Sequence, residues 1–333
     1  MRLSQSFLES DYFQFKDSDQ FLRSLSHEIS IEERNEIQRL IDLRLPPVTS
    51  WVSLATLLGV NTGIIWSFYK KPHKYYREFE IPKGNGKVRK IQAPKIGLKI
   101  IQKWLSVRLA DKYQSASHVY GFVSGRSHID AANVHCGCDW VFSVDIQDFF
   151  QTTPESFVKN AMVEIGYGAR SSELIARFAC LNGFLAQGSP LSPLLSNMCL
   201  RHLDEVLLNL SNNYGVRISR YADDVVFSGV GDFPEGLKNS VVEAFSSTPW
   251  KIAKNKIKVS KKPNRLKVHG LLVGASEIRL TKGYRNKLRA YKYLLENGKL
   301  KENISIVKGH LNYQDLVDRQ RDIFRINKEN SII

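Results

Sequence analysis

Arg217-Ile218-Ser219-Arg220-Tyr221-Ala222-Asp223-Asp224-Val225-Val226-Phe227-Ser228 sets two adjacent carboxylates inside a run of apolar, β-favouring residues. Such a run predicts a hairpin with the acids at its tip. Side chains alternate faces along a strand, so consecutive aspartates converge on one spot only where the chain turns. Convergence is costly: at about 4 Å and an effective dielectric near 20, two negative charges repel by roughly 4 kcal/mol. A divalent cation removes that cost, and hard carboxylate oxygens are the donors Mg²⁺ prefers. An isolated Asp-Asp is most often a solvated turn; here the apolar flanks argue for more, and a third ligand has to decide.

Trp140-Val141-Phe142-Ser143-Val144-Asp145-Ile146-Gln147-Asp148-Phe149-Phe150 offers one, as a second apolar strand ending in an acid. Asp145 would meet Asp223 if the two strands are neighbours in one sheet. Three carboxylates from two segments make a cradle for two metals about 3.5–4 Å apart, the arrangement used for in-line phosphoryl transfer.

The 333 residues are 43% hydrophobic, enough for two or three packed units with a sizeable core. A net charge of +15 points to a polyanionic partner. No run reaches the length of a membrane span; the best, residues 54–68, is broken by Gly59, Asn61, Thr62 and Gly63. The opening Met1-Arg2-Leu3-Ser4-Gln5 continues into Glu9 and Asp11 without an apolar signal core, so a cytoplasmic location is expected. Cys136, Cys138, Cys180 and Cys199 give no disulfide framework. His135-Cys136-Gly137-Cys138 lacks the second ligand pair of a zinc site, so free thiols are expected.

Along the chain, residues 1–46 read as helices, with a capping-box-like start at Ser30-Ile31-Glu32-Glu33 and an apolar stripe of Ile37, Leu40 and Ile41. Another helix follows from 50 to 58, paired with one around Ile64-Ile65-Trp66. From Tyr75 the pattern changes to an alternating strand, a turn at Pro82-Lys83-Gly84-Asn85-Gly86-Lys87 and a returning strand. That hairpin projects Arg77, Lys83, Lys87, Arg89 and Lys90. Arg89 is the first choice for a phosphate contact, because its fork binds oxygens bidentately. In Val119-Tyr120-Gly121-Phe122-Val123-Ser124-Gly125-Arg126-Ser127 the glycines allow backbone to approach a ligand, and Arg126 is placed to meet phosphate. Gln187-Gly188 precedes a helix start in which Pro190 and Pro193 fit the first turn, and offers a side-chain amide with close backbone approach. Residues 251–267 hold Lys251, Lys254, Lys256, Lys258, Lys261, Lys262, Arg265 and Lys267 with no acid among them. A last helical region sets Tyr284, Leu288, Tyr291 and Leu295 on one face and Arg285, Arg289 and Lys292 on another. A basic helix suits a membrane surface as well as nucleic acid. Basic residues spread over three regions favour a channel round a polyanion.

Taken in order, these segments resemble the reverse transcriptases. The matching blocks are Arg89…Gln92-Ala93-Pro94…Leu98-Lys99…Gln102…Trp104, Tyr120-Gly121-Phe122…Gly125-Arg126-Ser127, Val144-Asp145-Ile146…Phe149-Phe150, Gln187-Gly188-Ser189-Pro190-Leu191-Ser192-Pro193…Asn197, Tyr221-Ala222-Asp223-Asp224, then Lys256 and Gly270-Leu271-Leu272. They span about residues 75 to 280. Within that superfamily the chain is similar to the bacterial retron enzymes, being compact and ending soon after a thumb-sized segment. Those enzymes usually carry Asn-Ala-x-x-His and Val-Thr-Gly where this chain has Ala131-Ala132-Asn133-Val134-His135 and Val268-His269-Gly270.

The resemblance implies an α+β right-hand polymerase: a helical N-terminal segment (1–72), fingers and a palm with an antiparallel sheet (73–275), and a helical thumb (276–333). It implies that Asp145, Asp223 and Asp224 bind two Mg²⁺ ions, with the Ile146 backbone as a further ligand. Phe150 would exclude a ribonucleotide 2′-hydroxyl, Gln187 would meet the incoming dNTP, Lys87 and Arg89 its phosphates, and Lys256 the edge of the site. RNA or DNA would lie along Arg126, His135, Lys254, Lys258, Lys261, Lys262, Arg265, Arg285, Arg289 and Lys292. The partners implied are a cognate structured noncoding RNA of msr–msd type, its DNA product and a separate effector protein, with no membrane. Another compact bacterial reverse transcriptase, of abortive-infection or orphan group-II-like type, or a non-catalytic nucleic-acid-binding scaffold, stays open beside the retron reading.

Overall fold

The computed structural model describes residues 8, 10–25, 29–84, 86–300 and 302–330, apart from the side chains at 87 and 327–330. The opening Met1 to Gln5 stretch, Glu9, and the side chain of Lys87 therefore lie outside the described residues. In chain order the strands are β1 (Tyr76–Gly84), β2 (Lys87–Pro94), β3 (Trp140–Asp145), β4 (Cys180–Leu181), β5 (Phe184–Leu185), β6 (Arg217–Tyr221), β7 (Asp224–Gly229), β8 (Lys258–Lys261), β9 (Lys267–Val268), β10 (Leu271–Val273) and β11 (Ile278–Arg279). The fold is α+β, and every pairing within its sheets is antiparallel. Its contacts group the chain into two compact units, Met1–Ser115 with Asp148–His202 and Ala116–Gln147 with Leu203–Ile333. That grouping follows packing and differs from the expected division at 72 and 275.

In the first unit, Ser30 caps the helix Ile31–Asp42 by accepting from the Glu33 amide, and Ile37 and Leu40 are buried as the stripe requires. Ser50 and Ser53 close a capping box on the helix Trp51–Leu58, which Gly59 ends in the left-handed region (φ 65). The β1–β2 hairpin is longer than its alternating core suggested, pairing from Tyr76↔Pro94 to Gly84↔Lys87 with a shift of register between Pro82 and Gly84. The helix expected at Pro190 begins at Ser192 instead; Pro193 occupies its first turn and Pro190 stands outside it.

In the second unit, β3 is central, in the order β6-β7-β3-β8. Its apolar run is continuous because Trp140, Val141, Phe142 and Val144 are all buried. The small β9–β11 sheet packs through Val268, Leu271, Val273 and Ile278 into one core with Ile129, Val141 and Val226. The helices Lys282–Glu296 and Ile304–Asn330 bury Leu288 and Val317 in the same core. Arg285, Arg289 and Lys292 face solvent, as their helical spacing implies. Cys138, Cys180 and Cys199 are buried free thiols and Cys136 is half-buried. Among the described residues no helix is long and apolar enough to cross a membrane.

Candidate active site

The register of the central sheet decides where the carboxylates fall. Asp145, the last residue of β3, is the cross-strand partner of Asp224, the first of β7. Residues directly opposite in an antiparallel pair have Cα atoms about 4.5–5.5 Å apart. Tyr221 also pairs with Asp224, so the β6–β7 hairpin turns on only Ala222 and Asp223. Ala222 adopts φ 57, a place where glycine is usual, so the turn carries strain. The Ile146 amide donates to the Asp223 carbonyl (2.8 Å) and ties the turn to the end of β3. The acids thus sit at the hairpin tip beside Asp145, as the apolar flanks predicted.

A second segment is stitched to the same point. The Gln147 amide donates to the Lys251 carbonyl (2.8 Å), and the Ala253 amide to the Asp145 carbonyl (2.9 Å). This brings Lys256 Nζ to 2.5 Å from Asp145 Oδ2. His269 Nδ1 lies 3.0 Å from Asp224 Oδ2. Burial, and then the charges of Asp145 and Asp224, push the Asp223 carboxyl above its ordinary range, with Lys256 pulling the other way.

The donor set fits a hard divalent ion in kind: three carboxylates converge, repel one another, and already draw a lysine ammonium against one of them. As the side chains stand, however, no group of three or more His, Cys, Asp and Glu among the described residues is arranged to hold a metal ion. Two of the three aspartates are turned toward Lys256 and His269.

Residues 81–273 match the family model described as reverse transcriptase (RNA-dependent DNA polymerase). The chain belongs to the reverse transcriptase family. It is an RNA-directed DNA polymerase by that membership, and within the family its likeness is to retron enzymes. Retron Mx65 reverse transcriptase of Myxococcus xanthus is 28% identical over 290 residues, covering 80% of this chain and 67% of its own. Retron Ec86 reverse transcriptase of Escherichia coli is 28% identical over 290 residues, covering 84% and 88%. Retron Se72 reverse transcriptase of Salmonella heidelberg is 27% identical over 260 residues, covering 74% and 68%.

The remaining expected site residues of this reverse transcriptase fall into three groups. Arg89 is exposed on β2 opposite Ile81, and Gln187 accepts from the Gln92 amide (2.7 Å), so both belong to the first unit. A Cβ at Gly188, whose φ is 135, would meet the Gln92 carbonyl at 2.8 Å, so this glycine is needed against β2 itself. Phe150 is half-buried in the short turn Phe149–Thr152 of that unit, its ring 5.3 Å from Phe149. Lys254, Lys258, Lys261, Lys262 and Arg265 are exposed in the second unit, with Lys262 bonded to Asp139 (2.7 Å).

One expectation is corrected. His135 is fully buried, with Nδ1 2.7 Å from Ser228 Oγ and Nε2 2.7 Å from Ser219 Oγ, so it braces strands from inside and does not reach nucleic acid. Burial pushes its pKa down to about 3. Arg126 is half-buried and spends Nη1 on the carbonyls of Ala116 (2.7 Å), Ser117 (3.3 Å) and Val119 (2.6 Å), which fastens its own loop. The neighbouring Gly121 does permit a close approach, but to the hairpin: a Cβ there would run into the Ala222 backbone nitrogen.

Sequence reading missed Arg220, although it stands in the opening stretch. Arg220 is fully buried, forks onto Asp204 (2.6 Å at both oxygens) and donates to the Ala222 carbonyl (3.0 Å). The signal was an arginine in the strand that leads directly into the aspartate turn. Its partner, 16 residues upstream on the helix Arg201–Asn213, left no mark of its own.

Proposed function

We propose that this reverse transcriptase copies part of its own structured noncoding RNA into branched, RNA-linked DNA, priming from a guanosine 2′-hydroxyl. The observation that carries a polymerase centre is the Asp145↔Asp224 register with Asp223 in the turn beside it. Asp145, Asp223 and Asp224 would hold two Mg²⁺ ions, with the Ile146 backbone as a further ligand. Bound there, divalent ions lower the pKa of the primer hydroxyl and offset charge on the departing pyrophosphate. The chain's own residues position and neutralise. Lys256, now paired with Asp145, supplies a positive charge at the edge of the carboxylates. Arg89 and Lys87 take the family's role toward dNTP phosphates, Gln187 that toward the incoming nucleotide, and Phe150 that of excluding a ribonucleotide. The exposed Lys254, Lys258, Lys261, Lys262, Arg265, Arg285, Arg289 and Lys292 give the nucleic-acid backbone a sequence-independent hold. Similarity to retron enzymes supports an msr–msd type RNA, action in antiphage defence and an effector supplied as a separate chain.

Asp223→Asn combined with Asp224→Asn should abolish Mg²⁺-dependent dNTP incorporation and leave RNA binding largely intact. Activity surviving that change places the chemistry elsewhere. Sequencing the nucleic acid that purifies with the wild-type protein should yield one structured RNA joined to DNA through a 2′–5′ bond. Random cellular RNA instead favours another compact reverse transcriptase.

A further inference from the structure

Val268-His269-Gly270 departs from the Val-Thr-Gly of retron enzymes, and the roles assigned so far leave His269 unused. It lies between β9 and β10 at φ 46, with its side chain 3% exposed. Nδ1 is 3.0 Å from Asp224 Oδ2 and Nε2 is 3.4 Å from Ser219 Oγ. Ser219 Oγ is in turn 2.7 Å from His135 Nε2, and His135 Nδ1 is 2.7 Å from Ser228 Oγ. Four side chains from two strands and two loops are therefore bonded in one line that ends on a carboxylate.

The partners fix the direction of that line. A carboxylate only accepts, so His269 Nδ1 donates to Asp224. With Nδ1 as the donor, His269 Nε2 is left to accept from the Ser219 hydroxyl, Ser219 accepts from His135 Nε2–H, and His135 Nδ1 accepts from the Ser228 hydroxyl. Every donor then has an acceptor, which a buried polar chain needs. The geometry points to His269 as a positioning residue that fixes the orientation of Asp224, with Ser219 and His135 fixing His269 from behind. This rests on reading Asp224 as a metal ligand. A hydrogen bond to one carboxylate oxygen leaves the other to the ion, and loss of such a partner typically weakens metal affinity or activity by roughly 10–100-fold.

Two readouts on the purified full chain test it: Mn²⁺ binding followed by electron paramagnetic resonance, and primer extension titrated with Mg²⁺. His269→Ala should weaken Mn²⁺ binding by roughly 10–100-fold and raise the Mg²⁺ concentration needed for extension. His269→Asn should recover most of both, because asparagine tolerates positive φ and can place an amide donor where Nδ1 was. Ser219→Ala, which leaves His269 itself in place, should shift both in the same direction by less. His269→Ala matching wild type overturns the inference, and so does His269→Asn failing as badly as His269→Ala. Asp224→Asn separates the two levels. If it leaves Mn²⁺ binding unchanged, the site reading falls and this inference with it. If it weakens binding while His269→Ala does not, only the positioning role falls.

Discussion

On one face of β6, Ser219 meets His135, a neutral imidazole held between two serine hydroxyls. On the other face the next residue, Arg220, meets Asp204 as a forked ion pair, also fully buried. Consecutive strand residues point to opposite sides, so the strand that leads into the aspartate turn is gripped by two different chemistries. Burial first, and then the charges of His269 and Arg217, drive the His135 pKa down, so this imidazole is neutral. Burial pushes Asp204 up, but the Arg220 guanidinium together with His118 outweighs it and holds the carboxyl below its usual range. Each face also secures a different part of the site. Arg220 holds the Ala222 carbonyl, hence the turn's backbone, whereas the Ser219 face leads through His269 to the Asp224 side chain. Charge is used where a backbone conformation at positive φ must be held, and neutral hydroxyls where a side chain must be aimed.

The largest expected effect comes from breaking the charged face. Arg220→Met leaves the Asp204 charge buried and uncompensated, which costs about 3–5 kcal/mol. Urea unfolding should show that loss. Adding Asp204→Leu should restore most of the stability, because a buried pair replaced by well-packed apolar groups is often neutral. Primer extension should stay impaired in the double variant, since the Ala222 carbonyl still lacks its donor. Recovery of both together would reduce Arg220 to a stability element and erase the distinction between the two faces.

Much of this hairpin was legible in the chain, and the reason lies in period and charge. Alternating apolar residues around Asp223-Asp224 predict the turn, and the second apolar run ending in Asp145 predicts its neighbour. The grip behind the turn was not legible, because it joins residues far apart in sequence. Arg220 meets Asp204 across 16 positions, His135 meets Ser228 across 93, and His269 meets Asp224 across 45. A buried histidine between serines carries no periodic signal, so His135 read as a nucleic-acid contact. Gly121 read as a site of ligand approach for a related reason. Sequence shows that backbone must come close to something, and only the fold shows that the something is Ala222.

That glycine gives the next effect. The Tyr120 amide donates to the Arg220 carbonyl (2.8 Å), so the loop runs along the outer edge of β6. Gly121→Ala forces backbone apart at the turn and should cost about 1–3 kcal/mol, as overpacking does. Because the displaced atoms belong to the Asp223 turn, primer extension should fall by more than the stability loss explains. An active Gly121→Ala variant of lowered stability would mean that the charged face alone sets the turn.

The smallest effect separates the faces by pH. An exposed histidine titrates near 6.5, while His135 in the fold does so only at about 3. Between those values the unfolded chain binds a proton that the folded chain refuses, so stability rises with pH across the window and is lost as pH falls toward 3. The slope from one such group is at most about 1.4 kcal/mol per pH unit. Asp204 has a depressed folded pKa, so its contribution is present above the ordinary carboxylate value of about 3.9 and is lost only below it. Above pH ~4, then, His135 responds to acid and Asp204 does not. Urea unfolding from pH 6.5 to 4.5 should show wild type losing stability more steeply than His135→Gln, whose amide keeps a donor and an acceptor but does not titrate. His128, which burial also pushes down, titrates alike in both proteins and cancels from the difference. Superimposable slopes would mean that His135 accepts its proton in place, and the two sides of β6 would then both be charged.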